Sequence, residues 1–405
     1  MLYQGFQAHN DIMFPMRGAA QLMHGMLNSP WFGLNALPLT RQLSAALEVF
    51  HVARMTHKRR PFGIDSVIVD GEPRVVTEQV AHALPFASLL HFVKEGVTGQ
   101  PKLLIVAPMS GHFATLLRDT VRTALQDHDV YITDWVNARD VPLSEGRFGL
   151  DEYIEHVIHC LEHMGPHSHV LAICQPCVPT LAAVAVMSED NNPATPHSMS
   201  LMAGPIDCRL QPTAVNELAT SKPIEWFESK LIGTVPLRFA GSMRRVYPGF
   251  LQLTAFVSMN TQRHIDSLRD MFKHRAAGED EQAQSIRDFY EEYFAVADLP
   301  AEFYIETVKR VFQEYELAKG TFHYRGRLVR PELIRRTTLL TVEGERDDIC
   351  SIGQTMAAHD LCSGLKPYMK THYVQPGAGH YGVFSGKRWQ RQIYPLMRDT
   401  VHYAS

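Results

Sequence analysis

Between residues 102 and 202, short and largely apolar runs alternate with longer stretches whose apolar residues recur every three or four positions. Leu103–Val106, Val130–Thr133, Val170–Ile173 and Ser198–Met202 read as buried strands, and about 113–125, 150–163 and 177–187 read as helices. Strands separated by helices imply a parallel sheet with helices on both faces, and in such sheets ligands sit at the carboxyl ends of the strands. The pattern stops near residue 209 and resumes with a strand at Thr338–Val342, a helix at about 352–361, a strand at His372–Val374 and a helix at about 387–400. The intervening 209–330 reads as helices and loops dense in large aromatics, from Trp226 and Phe227 to Phe303 and Tyr304. At the other end, 11–55 is apolar and rich in methionine at loosely helical spacing. It is followed by a β-hairpin, Ser66–Val69 and Pro73–Val76, turning at Asp70-Gly71.

This organisation divides the chain into three parts. Residues 1–95 form an N-terminal extension of helices and a hairpin, and 96–208 with 331–405 form an α/β core. Residues 209–330 form a helical cap over it; an independent helical domain is the plainer alternative for that segment. A structureless loop of that length would be out of place in a compact domain.

Composition narrows the function classes. A net charge of −4 across 405 residues offers nucleic acid no electrostatic footprint. No run of eighteen apolar residues is present, so no transmembrane segment is expected. Met1 to Phe32 lacks the basic start and unbroken apolar core of a signal peptide. Six cysteines without scaffold spacing fit a reducing cytoplasm. The histidines are scattered, with no zincin-type pair, so neither a metal nor a cofactor is expected.

The stretch Val170-Leu-Ala-Ile-Cys-Gln-Pro-Cys177 carries the candidate chemistry, because a strand turning sharply into a helix with a nucleophile at the turn is the plan of a nucleophile elbow. Cys174 follows directly on the strand and has the small Ala172 two positions before it. Cys177 would instead have the bulky Gln175 there, one helical turn further on. Asp347 follows the strand after the cap, with Asp348 beside it and Asp207 as an alternative acid; His380 follows the last strand. Nucleophile, acid and base in that chain order are the order of the α/β-hydrolases. The backbone N–H of Gln175, and that of Met109 in the turn after Val106, are the expected oxyanion donors; His112 in that turn reads as structural. The competing reading takes Cys174-Gln-Pro-Cys177 as a thiol–disulfide pair. It makes both cysteines essential and leaves Asp347 and His380 without a role.

Five segments resemble intracellular poly(3-hydroxybutyrate) depolymerases over nearly the whole chain: Ala172-Ile-Cys-Gln-Pro176, Gly204-Pro-Ile-Asp207, Pro212-Thr-Ala-Val-Asn216, Gly344-Glu-Arg-Asp347-Asp-Ile349 and Gly379-His380-Tyr-Gly-Val-Phe384. The nucleophile strand is also similar to that of the longer polyhydroxyalkanoate synthases, which keep glycines around their cysteine. The resemblance implies an α/β-hydrolase fold and a Cys174–His380–Asp347 triad. It further implies hydrolysis of amorphous polyester granules in the cytoplasm, with the granule surface as partner. The Met-rich N-terminus is suited to rest on that surface, since flexible methionines adapt to irregular apolar contacts. Thiolysis with coenzyme A as acceptor, a non-catalytic granule-binding role and homo-oligomerisation stay open at this point.

Overall fold

The apolar runs of the second hundred residues become the middle of a nine-stranded sheet in the computed structural model, which describes residues 2–29 and 37–405. Its strands in chain order are β1 (Ser66–Val69), β2 (Glu72–Leu84), β3 (Ala87–Lys94), β4 (Lys102–Val106), β5 (Asp129–Trp135), β6 (Ser168–Ile173), β7 (Ser198–Met202), β8 (Thr338–Gly344) and β9 (Lys370–Gln375). Side by side they run β1-β2-β3-β5-β4-β6-β7-β8-β9. Neighbours from β5 to β9 are parallel. Every residue of β6, β7 and β8 is buried, as in a parallel sheet covered on both faces.

The helices are α1 (Leu2–Leu27), α2 (Pro38–Val52), α3 (Arg118–Ala124), α4 (Leu150–Met164) and α5 (Cys177–Glu189). The segment after β7 adds α6 (Ala214–Thr220), α7 (Ile224–Leu231), α8 (Gly249–Met259), α9 (Thr261–Ala277), α10 (Asp280–Tyr293) and α11 (Ala301–Glu306). A helix at Tyr394–Ala404 ends the chain described here. Residues 177–187 of α5 are buried on every side, so this helix has no polar face to orient it. Residues 30–36, part of the Met-rich stretch read as helical, lie outside the described residues.

Three expectations change. The hairpin turns at Asp70 and Gly71, both at positive φ, but it is not part of a separate extension. β2 pairs with β3, and β3 pairs antiparallel with β5, so residues 66–94 build the edge of the main sheet. The helix expected over 352–361 is regular only at Ala358–Leu361. The buried Glu343 carboxylate accepts the backbone N–H groups of Gly353, Thr355 and Met356 at 2.8–3.0 Å, and this holds 353–356 as turns. The cap is also shorter than 209–330. Phe303 stacks on Tyr153 of α4 at 5.3 Å, and Leu317, Phe322 and Val329 belong to the apolar core of the sheet.

What remains of the cap is joined to the N-terminal helices. Val52 of α2 shares an apolar cluster with Leu253, Met271, Tyr290 and Tyr293. Arg275 of α9 forms a fork–fork pair with the buried Glu48 of α2 at 2.7 and 2.9 Å. At its start α1 is held by Tyr3, whose hydroxyl donates to the buried Asp298 at 2.5 Å, and by Phe6 stacked on Phe250.

Candidate active site

The turn after β6 is built around Cys174. Its φ is +68°, a left-handed conformation costing a non-glycine residue roughly 1–2 kcal/mol. Two backbone bonds hold it there: Cys174 N–H donates to Met202 O at 2.7 Å, and Cys177 N–H donates to Cys174 O at 3.1 Å. Pro176 precedes the first turn of α5 and Pro179 lies within it, where a missing N–H breaks no helical bond. Cys174 is half-buried, whereas Cys177 is fully buried and its thiol donates to Ala172 O at 3.4 Å. Burial pushes the Cys177 thiol well above its ordinary pKa, which makes it a packing group. All six cysteines are free, so the Cys174–Cys177 spacing does not correspond to a disulfide.

The loops after β8 and β9 meet over the end of the sheet. His380 Nδ1 donates to Asp347 Oδ2 at 2.8 Å, with both side chains buried. Asp347 Oδ1 accepts the N–H groups of Ile349 and Cys350 at 2.9 Å each, so the carboxylate cannot turn away. Burial opposes charge on the His380 imidazole. The Asp347 carboxylate, followed by the Cys174 sulfur, outweighs it, and the imidazole pKa stands well above the ordinary histidine value. The alternative acids are differently engaged: Asp207 pairs with Arg209 at 2.8–2.9 Å, and the exposed Asp348 accepts from Asn260 at 3.3 Å.

Met109 and Gln175 lie in the turns after β4 and β6, and among the described residues neither backbone N–H has a hydrogen-bond acceptor. The Met109 turn is fixed at both ends. Ala107 N–H donates to Thr133 Oγ1 at 2.9 Å, and Ala107 O accepts from the Trp135 indole at 2.7 Å. Beyond Met109, Gly111 O accepts Ala297 N–H at 2.9 Å, and His112 Nε2 donates to Tyr293 O at 3.1 Å. Burial lowers the His112 pKa to about 4, so this ring is a neutral strut between core and cap. A cleft of about 610 Å³ opens beside His380, with Phe256, Phe289, Tyr290 and Tyr293 of the cap on one wall.

Sequence reasoning missed the support beneath the elbow. A Cβ on Gly204 would stand 2.2 Å from both Cβ and Sγ of Cys177, so only glycine lets β7 pass this close. Thr355 Oγ1 accepts Gly204 N–H at 2.8 Å and donates to Gly204 O at 3.0 Å. Thr355 is itself positioned by Glu343. The available signal was a carboxylate directly after the apolar run Thr338–Val342, where a buried charge needs dedicated donors.

A mostly parallel sheet crossing back once between β5 and β4, with a strained strand-to-helix turn at the end of β6, defines an α/β-hydrolase. The family model described as "PHB de-polymerase C-terminus" matches residues 203–405. The chain belongs to the poly(3-hydroxybutyrate) depolymerase family and is an ester hydrolase. No curated protein matches the sequence. Among solved structures it is similar to the 2-hydroxy-6-oxo-6-phenylhexa-2,4-dienoate hydrolase of Rhodococcus sp. strain RHA1, at 12% identity over 81% of this chain and 99% of that one, with a TM-score of 0.43. A meta-cleavage product hydrolase from Pseudomonas fluorescens IP01 gives 14%, 84%, 98% and 0.43. A thermophilic esterase from Thermogutta terrifontis gives 13%, 80%, 98% and 0.41. The strand order carries the fold assignment. Among the described residues no helix is long and apolar enough to cross a membrane.

Proposed function

We propose that this chain hydrolyses the ester bonds of poly(3-hydroxybutyrate) through an acyl-cysteine intermediate, with Cys174 as nucleophile, His380 as acid–base and Asp347 as its orienting partner. The observation that carries the reading is the buried 2.8 Å Asp347–His380 pair beside the strained Cys174, in a chain of the depolymerase family. The Cys174 sulfur attacks the ester carbonyl carbon and its proton goes to His380 Nε2. The tetrahedral oxyanion takes hydrogen bonds from the N–H groups of Gln175 and Met109. The carbon–oxygen bond then breaks, and His380 returns the proton to the leaving alkoxide. In the second half His380 deprotonates water and hydroxide attacks the thioester. The carbon–sulfur bond breaks, freeing a 3-hydroxybutyrate acid and the thiol. Throughout, Asp347 fixes the imidazole tautomer and stabilises its positive charge.

The substrate is neutral and apolar, and the N-terminal helices suit it. Ile12 is 70% exposed and Leu22 73% on α1, and Leu39 is 78% exposed on α2. With Met16, Met23 and Leu43 also exposed, these helices offer an adaptable apolar surface. We assign it to the surface of polyester granules in the cytoplasm. Native amorphous granules incubated with the protein, with and without coenzyme A, test the reading by mass spectrometry of the products. Free 3-hydroxybutyrate acids in both arms, and none from Cys174→Ala, support hydrolysis. Products that form only as coenzyme A thioesters would replace water as acceptor. Ile12→Glu with Leu22→Glu should reduce co-sedimentation with granules while cleavage of a soluble ester continues.

A further inference from the structure

The cleft beside His380 is positively charged, although the proposed polymer is neutral. Arg263 in the first turn of α9, Arg346 after β8 and Arg388 after the His380 loop all line it, against a single carboxylate, Asp348. None of the three guanidiniums has an acidic partner among the described residues, and all three are exposed. Elsewhere in the chain most arginines are paired. In the adjoining cleft of about 850 Å³, two of the three arginines are paired: Arg275 binds Glu48 and Asp280, and Arg118 faces Glu292 at 3.8 Å. An excess of unpaired cations at one cleft is a local feature of a chain whose net charge is −4.

The backbone builds room for these groups. Arg346 N–H donates to Ala378 O at 2.8 Å, which ties its loop to the segment carrying His380. Gly377 has a φ of +65°, and a Cβ there would stand 3.2 Å from Nη2 of Arg388, so glycine leaves space for the guanidinium. Glu345, on the Arg346 loop, is occupied by Gly377 N–H at 2.6 Å.

We propose that Arg263, Arg346 and Arg388 form a subsite for the terminal carboxylate of a 3-hydroxybutyrate chain, on the leaving-alcohol side of the scissile ester. The inference rests on the polyester reading above. A linear polyester of this kind carries one charged group, the carboxylate at one end, and planar guanidiniums match carboxylates in geometry as well as charge. The fragment that leaves as an alcohol retains that end of the chain. His380, which protonates this fragment, lines the same cleft. The subsite therefore favours cutting near the carboxylate terminus and favours short acids over internal chain segments.

The test uses the linear 3-hydroxybutyrate trimer as the free acid and as its methyl ester. Calorimetry with the full-length Cys174→Ala protein gives the two affinities, and kcat/KM with the wild type gives the rates. The free acid should bind about tenfold more tightly than the ester at low salt. That ratio should fall toward one in Arg263→Gln, Arg346→Gln and Arg388→Gln, and at high ionic strength. Equal affinity for acid and ester, or an equal loss of both in the arginine variants, overturns the subsite while cleavage of the ester leaves the polyester reading standing. Failure to bind or cleave either compound overturns the polyester reading, and the subsite with it.

Discussion

Replacing Asp347 by Asn separates the role of the carboxylate from its shape. Oδ1 accepts two backbone N–H groups at 2.9 Å, a position an amide carbonyl can keep but an NH2 cannot. The amide nitrogen must then occupy the Oδ2 position, 2.8 Å from His380 Nδ1. There it donates instead of accepting, so Nδ1 loses its proton and Nε2 carries it. An imidazole in that tautomer cannot take the proton of Cys174. Loss of the base and of the charge partner together corresponds to about 10³–10⁴ in kcat, or about 4–5.5 kcal/mol. The assay is hydrolysis of p-nitrophenyl butyrate at pH 7, with circular dichroism to show that the variant is folded. Activity within tenfold of wild type at pH 7 would falsify the assignment, as would an equal loss in Asp348→Asn.

Cys177→Ala should keep activity within a few-fold, because its buried thiol fills space beside Gly204 and bonds Ala172 O and Met202 O; a loss matching Cys174→Ala would restore the thiol–disulfide reading. Thr355→Val removes both hydrogen bonds to Gly204 and should destabilise the fold by about 1–3 kcal/mol in urea titration, with kcat falling more than KM changes. Acidification should weaken the fold through His112. Its folded pKa of about 4 lies below the unfolded value of about 6.5, so the unfolded chain binds the proton first and stability declines as pH falls from 6.5 to 4, by about 3 kcal/mol at most. His112→Gln keeps a donor for Tyr293 O and should flatten that part of the Tm–pH curve. An unaltered curve would place the acid sensitivity in His128 and His169, which burial lowers to about 4 and about 3.

The parts of the fold written in local pattern were legible. β4 to β8 appear as largely apolar runs and β9 as a short strand, and the left-handed Asp70-Gly71 turn is explicit in its residues. β3 was hidden because its place in the sheet depends on pairing with β5, some forty residues on. The turns at 353–356 read as helix because the carboxylate that holds them sits at the end of another strand. Cys174, Asp347 and His380 were legible as positions at the ends of strands. Their supports were not, because Gly204, Thr355 and Glu343 act through contacts across the sheet that no spacing in the chain records. The three arginines of the cleft were invisible as well: an arginine without a partner looks like any other until its neighbours are known.

In the proposed reaction the acyl group of the polyester passes through the sulfur of Cys174. Wild-type protein mixed with the 3-hydroxybutyrate trimer and quenched in acid within the first turnover should carry a 3-hydroxybutyryl thioester on the peptide containing Cys174, detected by mass spectrometry. Asp347→Asn should accumulate it far more slowly, and Cys174→Ala not at all. Product release by Cys174→Ala at the wild-type rate, or an acyl group on Cys177 or any other residue instead, would contradict the account.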